Sequence, residues 1–305
     1  AVKSLLPAYV VRDLLKPMRS TSDDAAKLNK LLESGQITEF REKLQIINAK
    51  SAMTMLAVEQ KKALLTGVAE RLPLSVSAAE ASTRLLAADD APDTTLLSIF
   101  TDVVNKSESS TSSSKEICDA VADAIASMGE NYLDIFQEAV EVFASFYADF
   151  SEAIASLKKY IKADKDKIVF DGRGFAAELR SVINKYSGDA GILYSASSVE
   201  EARAWAKEMG LDPDKCVDGT NVRIDLSSIQ KLADDTYKNN NVTLNSAQWA
   251  AYQSSVDIVK DSVQTSMQSL TQKYSNANST FDNLVRILSG TISQLLESDK
   301  SFFNI

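Results

Sequence analysis

The sequence predicts a mainly α-helical protein organised on a long central antiparallel intramolecular coiled coil, with an N-terminal helical hairpin packed on it and a small α/β domain inserted between the two coiled-coil helices. Three observations carry this expectation. Residues 246–299 contain no proline and a single glycine, Gly290, so nothing in them stops a helix. Their large apolar residues fall at Trp249, Tyr252, Val256, Val259, Val263, Met267, Leu270, Tyr274, Ala277, Phe281, Leu284, Leu288, Ile292 and Leu295, in the steps of three and four of a coiled-coil seam. Residues 114–163 repeat the pattern with Gly129 as their only glycine and apolar residues at Ile117, Val121, Ile125, Met128, Tyr132, Ile135, Ala139, Val142, Phe146, Phe150, Ile154, Leu157 and Ile161. Between the two, six of the ten glycines fall from Gly172 to Gly219, where short apolar runs alternate with short helical ones. A second rod of about 80 Å needs a partner along its length. A returning hairpin supplies that partner most simply, because a parallel pair would need a connection running the full length of the rod.

The elements follow in order. Residues 1–20, with Pro7 and Pro17, read as a flexible leader carrying an apolar patch from Val10 to Leu15. Residues 21–106 read as a helical hairpin. One helix runs to about Glu33 and stops at Gly35, a long one runs from about Gln36 to Leu72 and ends at Pro73, and a third stretch, Val76 to Val104, is interrupted by Pro92. Ile37, Phe40, Leu44 and Ile47 keep helical spacing, which gives one buried face. So thin a hairpin buries little alone, and docking on the rods completes a bundle. Residues 107–114, SESSTSSS, form a linker that also holds the next start signal, since Ser113 and Glu116 make a capping box. A hinge here would let the hairpin leave the rods undisturbed.

The first rod, residues 115–163, has heptad spacing up to Phe146, then two steps of four, a stutter that locally unwinds a supercoil. In the inserted domain, residues 164–245, the runs Ile168 to Phe170, Ile192 to Tyr194 and Val222 to Leu226 read as strands. Phe175 to Tyr186, Val199 to Met209 and Ser227 to Lys238 read as helices, the second opened by a Ser198/Glu201 capping box and closed by Gly210. Trp205 reads as a core residue rather than a ligand contact. The polar turn KNNNVTLNS leads into the last rod, residues 246–305. Within that rod the decade Thr271 to Thr280 is rich in Asn, Ser and Thr, mediocre helix formers that here leave Tyr274 and Ala277 in register. Ser275, Asn276, Asn278 and Ser279 then face outward or flank the seam. They form either a neutral polar face or a hydrogen-bonding surface for another helix.

Composition excludes several functions. With 42 acidic against 33 basic residues and a net charge of −9, the chain lacks the footprint of a nucleic-acid binder. It has no apolar run long enough for a transmembrane helix, and its first residues do not resemble a secretory signal. The absence of histidine removes Ser-His-Asp and Cys-His catalysis and His-ligated metals, and no Gly-rich phosphate loop or C-x-x-C motif is present. Acidic residues lie mostly on polar helix faces, so an acid–base pair in the inserted domain is the weaker reading. Cys118 and Cys216 fall in different predicted units and read as free thiols, a single bridge being the alternative.

The run from Leu270 to Ser293, LTQKYSNANSTFDNLVRILSGTIS, with the ending Lys300-Ser-Phe-Phe-Asn-Ile305, resembles the C-terminus of the needle-tip proteins of type III secretion systems of the invasion type, the IpaD/SipD/BipD family. Tyr132 to Lys167, with EVFASFYADFSEAIASLKKYI, is similar to the first rod of the same proteins, and Trp249, Tyr252 and Gln253 to the start of their second. Gly290 departs from the serine expected there. The inserted domain and the N-terminal unit match in architecture rather than in motif.

The resemblance implies a non-enzymatic protein exported through the secretion apparatus without a cleaved signal. It also implies a monomer in solution that assembles as a small ring on the needle, restrains secretion until host contact and serves as platform for hydrophobic translocator proteins. The N-terminal hairpin would act as a built-in chaperone. No cofactor is implied; some relatives bind bile salts, and no motif here assigns such a site. A seam through Ile125, Tyr132, Ile135, Val142 and Phe146 on one rod and Trp249, Val256, Val263, Leu270, Tyr274, Phe281, Leu284 and Leu288 on the other would hold the coiled coil. Asn276, Asn278, Asp282, Asn283 and Arg286, with Lys300, Phe302 and Phe303, would form the needle-facing end, unless Phe302 and Phe303 simply cap the intramolecular bundle. A cytoplasmic coiled-coil adaptor or export chaperone would share the rods and stay in the cell.

Overall fold

The computed structural model describes residues 8–69 other than 15, 17 and 19, residues 119–164 other than 120, 121, 124 and 128, and residues 167–301. The expected linker at 107–114 with its Ser113/Glu116 box, the stretch Val76 to Val104 with its breaks at Pro73 and Pro92, Cys118, Phe302 and Phe303 lie outside the described residues. The protein is mostly helical with a small sheet portion. It divides into two compact units. One comprises Ala1–Lys27, Glu42–Asp134 and Ser275–Ile305, and the other Leu28–Arg41 and Ile135–Tyr274.

In the first unit, α1 (Ala8–Leu14) lies within the stretch expected as a flexible leader. Its Val10 and Leu14 are buried, so the apolar patch forms a helix because it has a surface to cover. The helix expected from Thr21 is broken into α2 (Ser22–Ala25) and α3 (Leu28–Glu33). The break tightens through a short-range bond from Lys27 N–H to the Asp24 carbonyl, 3.2 Å. Asp24 is itself held by Lys43 (3.0 Å) and Lys50 of α4 (Ile37–Ala69). Those two ammonium groups, outweighing burial, keep its carboxyl below the usual range. Along α4, Leu44, Ile47, Ser51, Thr54, Val58 and Lys61 are buried at alternating steps of three and four.

The described residues among 119–127 are helical, and Gly129–Leu133 forms a π-helical turn before α5 (Asp134–Ser156). A π turn adds one residue to the ladder and carries every later residue one position forward. That corrects the expected seam. Ile135 and Val142 are only half-buried, whereas Phe136, Val140, Phe143 and Tyr147, each one step beyond an expected position, are buried. Tyr132, Ala139 and Phe146 stay buried as well, so this rod is covered over a broad face.

The second unit explains part of that breadth. Trp205 packs on Phe136 (6.1 Å between ring centres) and on Tyr194 (5.2 Å), and Tyr186 meets Phe146 edge-on at 5.2 Å. Helix α5 ends at Ser156, seven residues before the expected Ala163. A 3₁₀ turn, Leu157–Tyr160, leads into strand β1 (Ile161–Asp164), so Leu157 and Ile161 leave the seam. The physical cause is pairing at a distance: Ile161 lies opposite Phe170 and Asp164 opposite Lys167 in β2 (Lys167–Phe170). β2 in turn pairs with β6 (Val242–Asn245), which the sequence reads as polar turn, giving an antiparallel sheet in the order β1-β2-β6.

The second small sheet, β3-β5-β4, contains β3 (Ile192–Ser195), β4 (Val217–Asp218) and β5 (Asn221–Arg223), the last shorter than the expected Val222 to Leu226. Three helices accompany the sheets. These are α6 (Gly172–Ser187), α7 (Val199–Glu208) and the single turn α8 (Pro213–Cys216). A fourth, α9 (Ser227–Tyr237), packs along α6. Cys216 is a free, buried thiol pushed up to about 11, chiefly by burial and then by Asp225 and Asp212.

Two helix ends expected from glycine close as Schellman motifs. At Gly35 (φ 71°) the N–H groups of Gly35 and Gln36 return to the carbonyls of Leu32 and Leu31. At Gly210 (φ 75°) those of Gly210 and Leu211 return to Lys207 and Ala206. The Ser198 hydroxyl accepts from Glu201 N–H (3.1 Å), while the Glu201 carboxylate accepts from Ser197 N–H (2.9 Å), one residue earlier than in a strict capping box. Ser198→Ala is expected to cost about 1 kcal/mol in urea unfolding; no measurable cost would mean that Ser197 alone caps α7. The last helix, α10 (Ser246–Ser301), runs unbroken for 56 residues. It opens on a reciprocal cap that the sequence reading missed: the Asn245 side chain accepts from Gln248 N–H (2.9 Å) and Gln248 from Asn245 N–H (3.0 Å).

Candidate partner-binding surface

The C-terminal half of α10 carries the residues expected to meet a partner. Its seam is in place, with Leu270, Tyr274, Ala277, Phe281, Leu284, Leu288 and Ile292 all buried, as are Trp249, Val256 and Val263 earlier. Beside this seam runs a second buried stripe, Thr271, Ser275, Asn278 and Asp282, again in steps of four and three. At about 100° per residue the two stripes lie roughly a quarter-turn apart on the helix. The polar decade therefore turns inward along half of its residues. Before Leu270 only the apolar stripe is buried, and Ala251, Ser254, Ile258 and Ser262 face solvent.

What meets the last residue of the polar stripe, Asp282, is the chain's own N-terminal segment. Asp282, 5% exposed, accepts from the N–H groups of Thr21 (3.0 Å) and Ser22 (2.7 Å) and from the Ser20 hydroxyl (2.6 Å). A helix start leaves several amides without partners, and a residue in the N-cap position usually satisfies one with its own side chain. Thr21, the N-cap of α2, makes no such bond. A carboxylate 261 positions away in sequence takes over that task, and its charge suits the positive end of the turn. In the second unit, Asn29 of α3 donates to the Gln272 side-chain oxygen at 2.8 Å. Gln272 thus bonds another helix from within the decade, and Asp282 does so two residues beyond its end.

The eight candidate residues accordingly separate. Asn276 and Arg286 are exposed and Asn283 half-exposed, with the Arg286 guanidinium donating to the Asn283 side-chain oxygen, so these three share an outward face. Asn278 and Asp282 do not belong to it. They are buried, and the N-terminal segment covers Asp282. Lys300 lies within α10 with its side chain outside the described residues, as Phe302 and Phe303 are altogether. Sequence reasoning missed Ser20, Thr21, Ser22, Asn29 and Gln272. The only available signal was the cap-like string Ser20-Thr-Ser-Asp-Asp24, which announces a helix start without naming the remote carboxylate that completes it.

The same segment is tied at its other end. Lys61, 3% exposed, donates to the carbonyl oxygens of Leu14 and Lys16, the latter at 2.7 Å. Burial, followed by the neighbouring Lys16 charge, lowers its ammonium from the ordinary lysine value. Among the described residues no group of three or more Cys, Asp or Glu side chains is placed to hold a metal.

Comparison with known proteins places these features in a family. Residues 9–303 match the family model of type III secretion systems tip complex components. The chain is 34% identical over 214 residues to the cell invasion protein SipD of Salmonella typhimurium, covering 63% of this chain and 62% of that protein. It is 31% identical over 204 residues to the invasin IpaD of Shigella flexneri, covering 63% and 61%. The matched region thus spans under two thirds of the length of these relatives. A crystal structure of a pathogenicity island 1 effector protein from Chromobacterium violaceum, 24% identical, covers 95% of this chain and 96% of its own with a TM-score of 0.69, which supports the fold. The chain therefore belongs to the type III secretion systems tip complex components, a family of structural secretion proteins rather than enzymes.

Proposed function

We propose that this chain caps the needle of a type III secretion apparatus, where it restrains effector secretion and offers a platform to hydrophobic translocator proteins. In this reading the protein is exported by the apparatus itself, is a monomer beforehand and forms a ring at the tip. The observation that carries it is the hydrogen-bonding surface on the C-terminal half of α10. In that half Asp282 is met by the chain's own N-terminal segment, and a helix of the needle would take that place. An antiparallel coiled coil fits the composition of the two units, since 119–134 shares a unit with 275–301 and 135–156 shares one with 246–274, in reversed order. The negative charge of Asp261 acting on the buried Tyr147 hydroxyl, which is raised mainly by burial, agrees with that pairing. The α/β domain would then stand at one end of the rods, and Asn276, Asn283 and Arg286 would provide the needle-facing side chains in the closed form.

Binding to assembled needle filaments tests the proposal. Asn276→Ala combined with Asn283→Ala should weaken binding by about tenfold, as expected for two or three lost polar contacts, with unchanged circular dichroism. A chain lacking residues 1–106 should bind more tightly than the full chain if the N-terminal part covers the surface. Absence of filament binding by both chains, with helicity retained and the protein held inside the bacteria rather than in the culture supernatant, would replace the tip reading with that of an intracellular adaptor.

A further inference from the structure

Residues 158–167 hold five lysines against two aspartates, in a chain whose net charge is −9. Lys158 and Lys159 stand in the 3₁₀ turn after α5, Lys162 on β1 and Lys167 on β2, and all four are exposed. Among the described residues none of the four has an acidic partner, whereas Lys185 and Lys238 of the same unit are paired with Asp149 and Asp235. Strand register aligns the surface around them. Lys162 lies opposite Val169, which lies opposite Thr243, and Lys167 lies opposite Asn245, so these residues share one face of the sheet. Thr243 and Asn245 are exposed as well. The other face carries Phe170, fully buried and packed on Trp249 at 5.6 Å and Tyr252 at 4.8 Å, which anchors the sheet on the start of α10.

Lysines often guard a sheet edge against pairing with another strand. That role accounts for Lys162, since β1 is an edge strand. It does not account for Lys167, which stands on the central strand, or for Lys158 and Lys159, which precede the sheet. An unpaired array of this kind attracts an anionic partner, and its form selects which one. Peptide recognition draws its strength from buried anchors and from the guanidinium fork that grips a carboxylate. Here the face is open and no arginine shares it. Lysine offers a compact charge on a flexible stem, and clusters of four or more such charges are drawn to the anionic headgroups of a bilayer.

We propose that the β1–β2 face, with Lys158, Lys159, Lys162 and Lys167, is a docking surface for an anionic phospholipid bilayer. The contact is peripheral and electrostatic, the ammonium groups lying against headgroup phosphates and carboxylates. It uses none of the needle-facing residues of α10.

Cosedimentation of the full chain with lipid vesicles at moderate ionic strength tests this surface. Vesicles of phosphatidylcholine with phosphatidylserine should bind the protein, and vesicles of phosphatidylcholine alone should not. Binding should weaken as salt is raised, because exposed charges are screened. Each lysine near such a surface is worth about fivefold. Lys162→Gln with Lys167→Gln should therefore weaken binding by about 25-fold, and Lys158→Gln with Lys159→Gln by a similar factor. Lys207→Gln with Lys260→Gln removes the same charge from exposed positions elsewhere in the unit, and should bind nearly as the parent does. Should one hairpin pair lose helicity by circular dichroism, the other pair decides. Failure of the parent to bind the mixed vesicles, or an equal loss in the Lys207/Lys260 pair, overturns the proposal. Displacement by inorganic phosphate beyond that by chloride of equal ionic strength would mark a site for a single phosphate ion. Retention on immobilised polyglutamate without vesicle binding would mark an acidic protein partner. Either result removes the bilayer as occupant.

Discussion

Replacing Phe146 with alanine is expected to destabilise the unit that contains it by about 3–5 kcal/mol, the range for an aromatic core residue truncated in a packed interior. Phe146 is fully buried on α5, stacked on Phe150 at 6.1 Å and set edge-on to Phe143 at 5.5 Å and to Tyr186 at 5.2 Å. The ring therefore joins rod to inserted domain. It also braces a polar tie, since Tyr186 donates its hydroxyl to Asp149 at 2.8 Å and Lys185 binds the same carboxylate. Burial first, and then the Asp149 carboxylate, push the Tyr186 hydroxyl up to about 12. Without the ring, Tyr186 faces a void and its hydrogen bond loses the packing that aims it. Urea unfolding followed by circular dichroism measures the cost. Ile135→Ala serves as the register control, because Ile135 stands at the edge of the buried face and should cost about 1 kcal/mol or less. Equal costs for the two would mean that the seam runs where heptad counting alone puts it.

That contrast also marks what the sequence could disclose. Periodicity located the seam of α10 from Trp249 to Ile292, because a proline-free helix of constant pitch converts spacing directly into a face. The same reasoning chose Ile135 and Val142 after Leu133 where Phe136 and Phe143 are the buried residues, although Phe146 is buried as expected, since a π turn leaves no residue-type signature that spacing can register. β1 and β6 were missed because each exists through its partner. Ile161-Lys-Ala-Asp164 and Val242-Thr-Leu-Asn245 owe their extended form to β2, and the first continued a helical pattern smoothly. The candidate surface was legible as an anomaly, a polar decade inside an apolar rod. That Asp282, two residues beyond it, turns inward was not legible, because its partners Thr21 and Ser22 come from the far end of the chain.

Gly172→Ala is expected to cost about 3 kcal/mol or slightly more, at the upper end of overpacking. A Cβ at this position would lie 2.2 Å from the Asn239 carbonyl oxygen and 2.3 Å from that of Thr236, while Gly172 N–H donates to the Asn239 oxygen at 2.8 Å. These obstacles are main-chain atoms at the end of α9, so no side-chain rotation relieves the clash. The start of α6 and the end of α9 must part. The strain then travels, because the Thr236 hydroxyl shares a 2.9 Å hydrogen bond with Tyr252, and Tyr252 and Trp249 pack on Phe170 at the start of α10. Thermal unfolding and the tryptophan fluorescence of Trp249 should therefore both respond. Gly188→Ala is the matched control: the nearest atom to its Cβ would be the Lys185 carbonyl oxygen at 3.8 Å, an ordinary contact. It should stay within about 0.5 kcal/mol of the parent. If both variants unfold at the parent temperature, the close approach of α6 to α9 is absent in solution, and the route by which the inserted domain braces the rod fails with it.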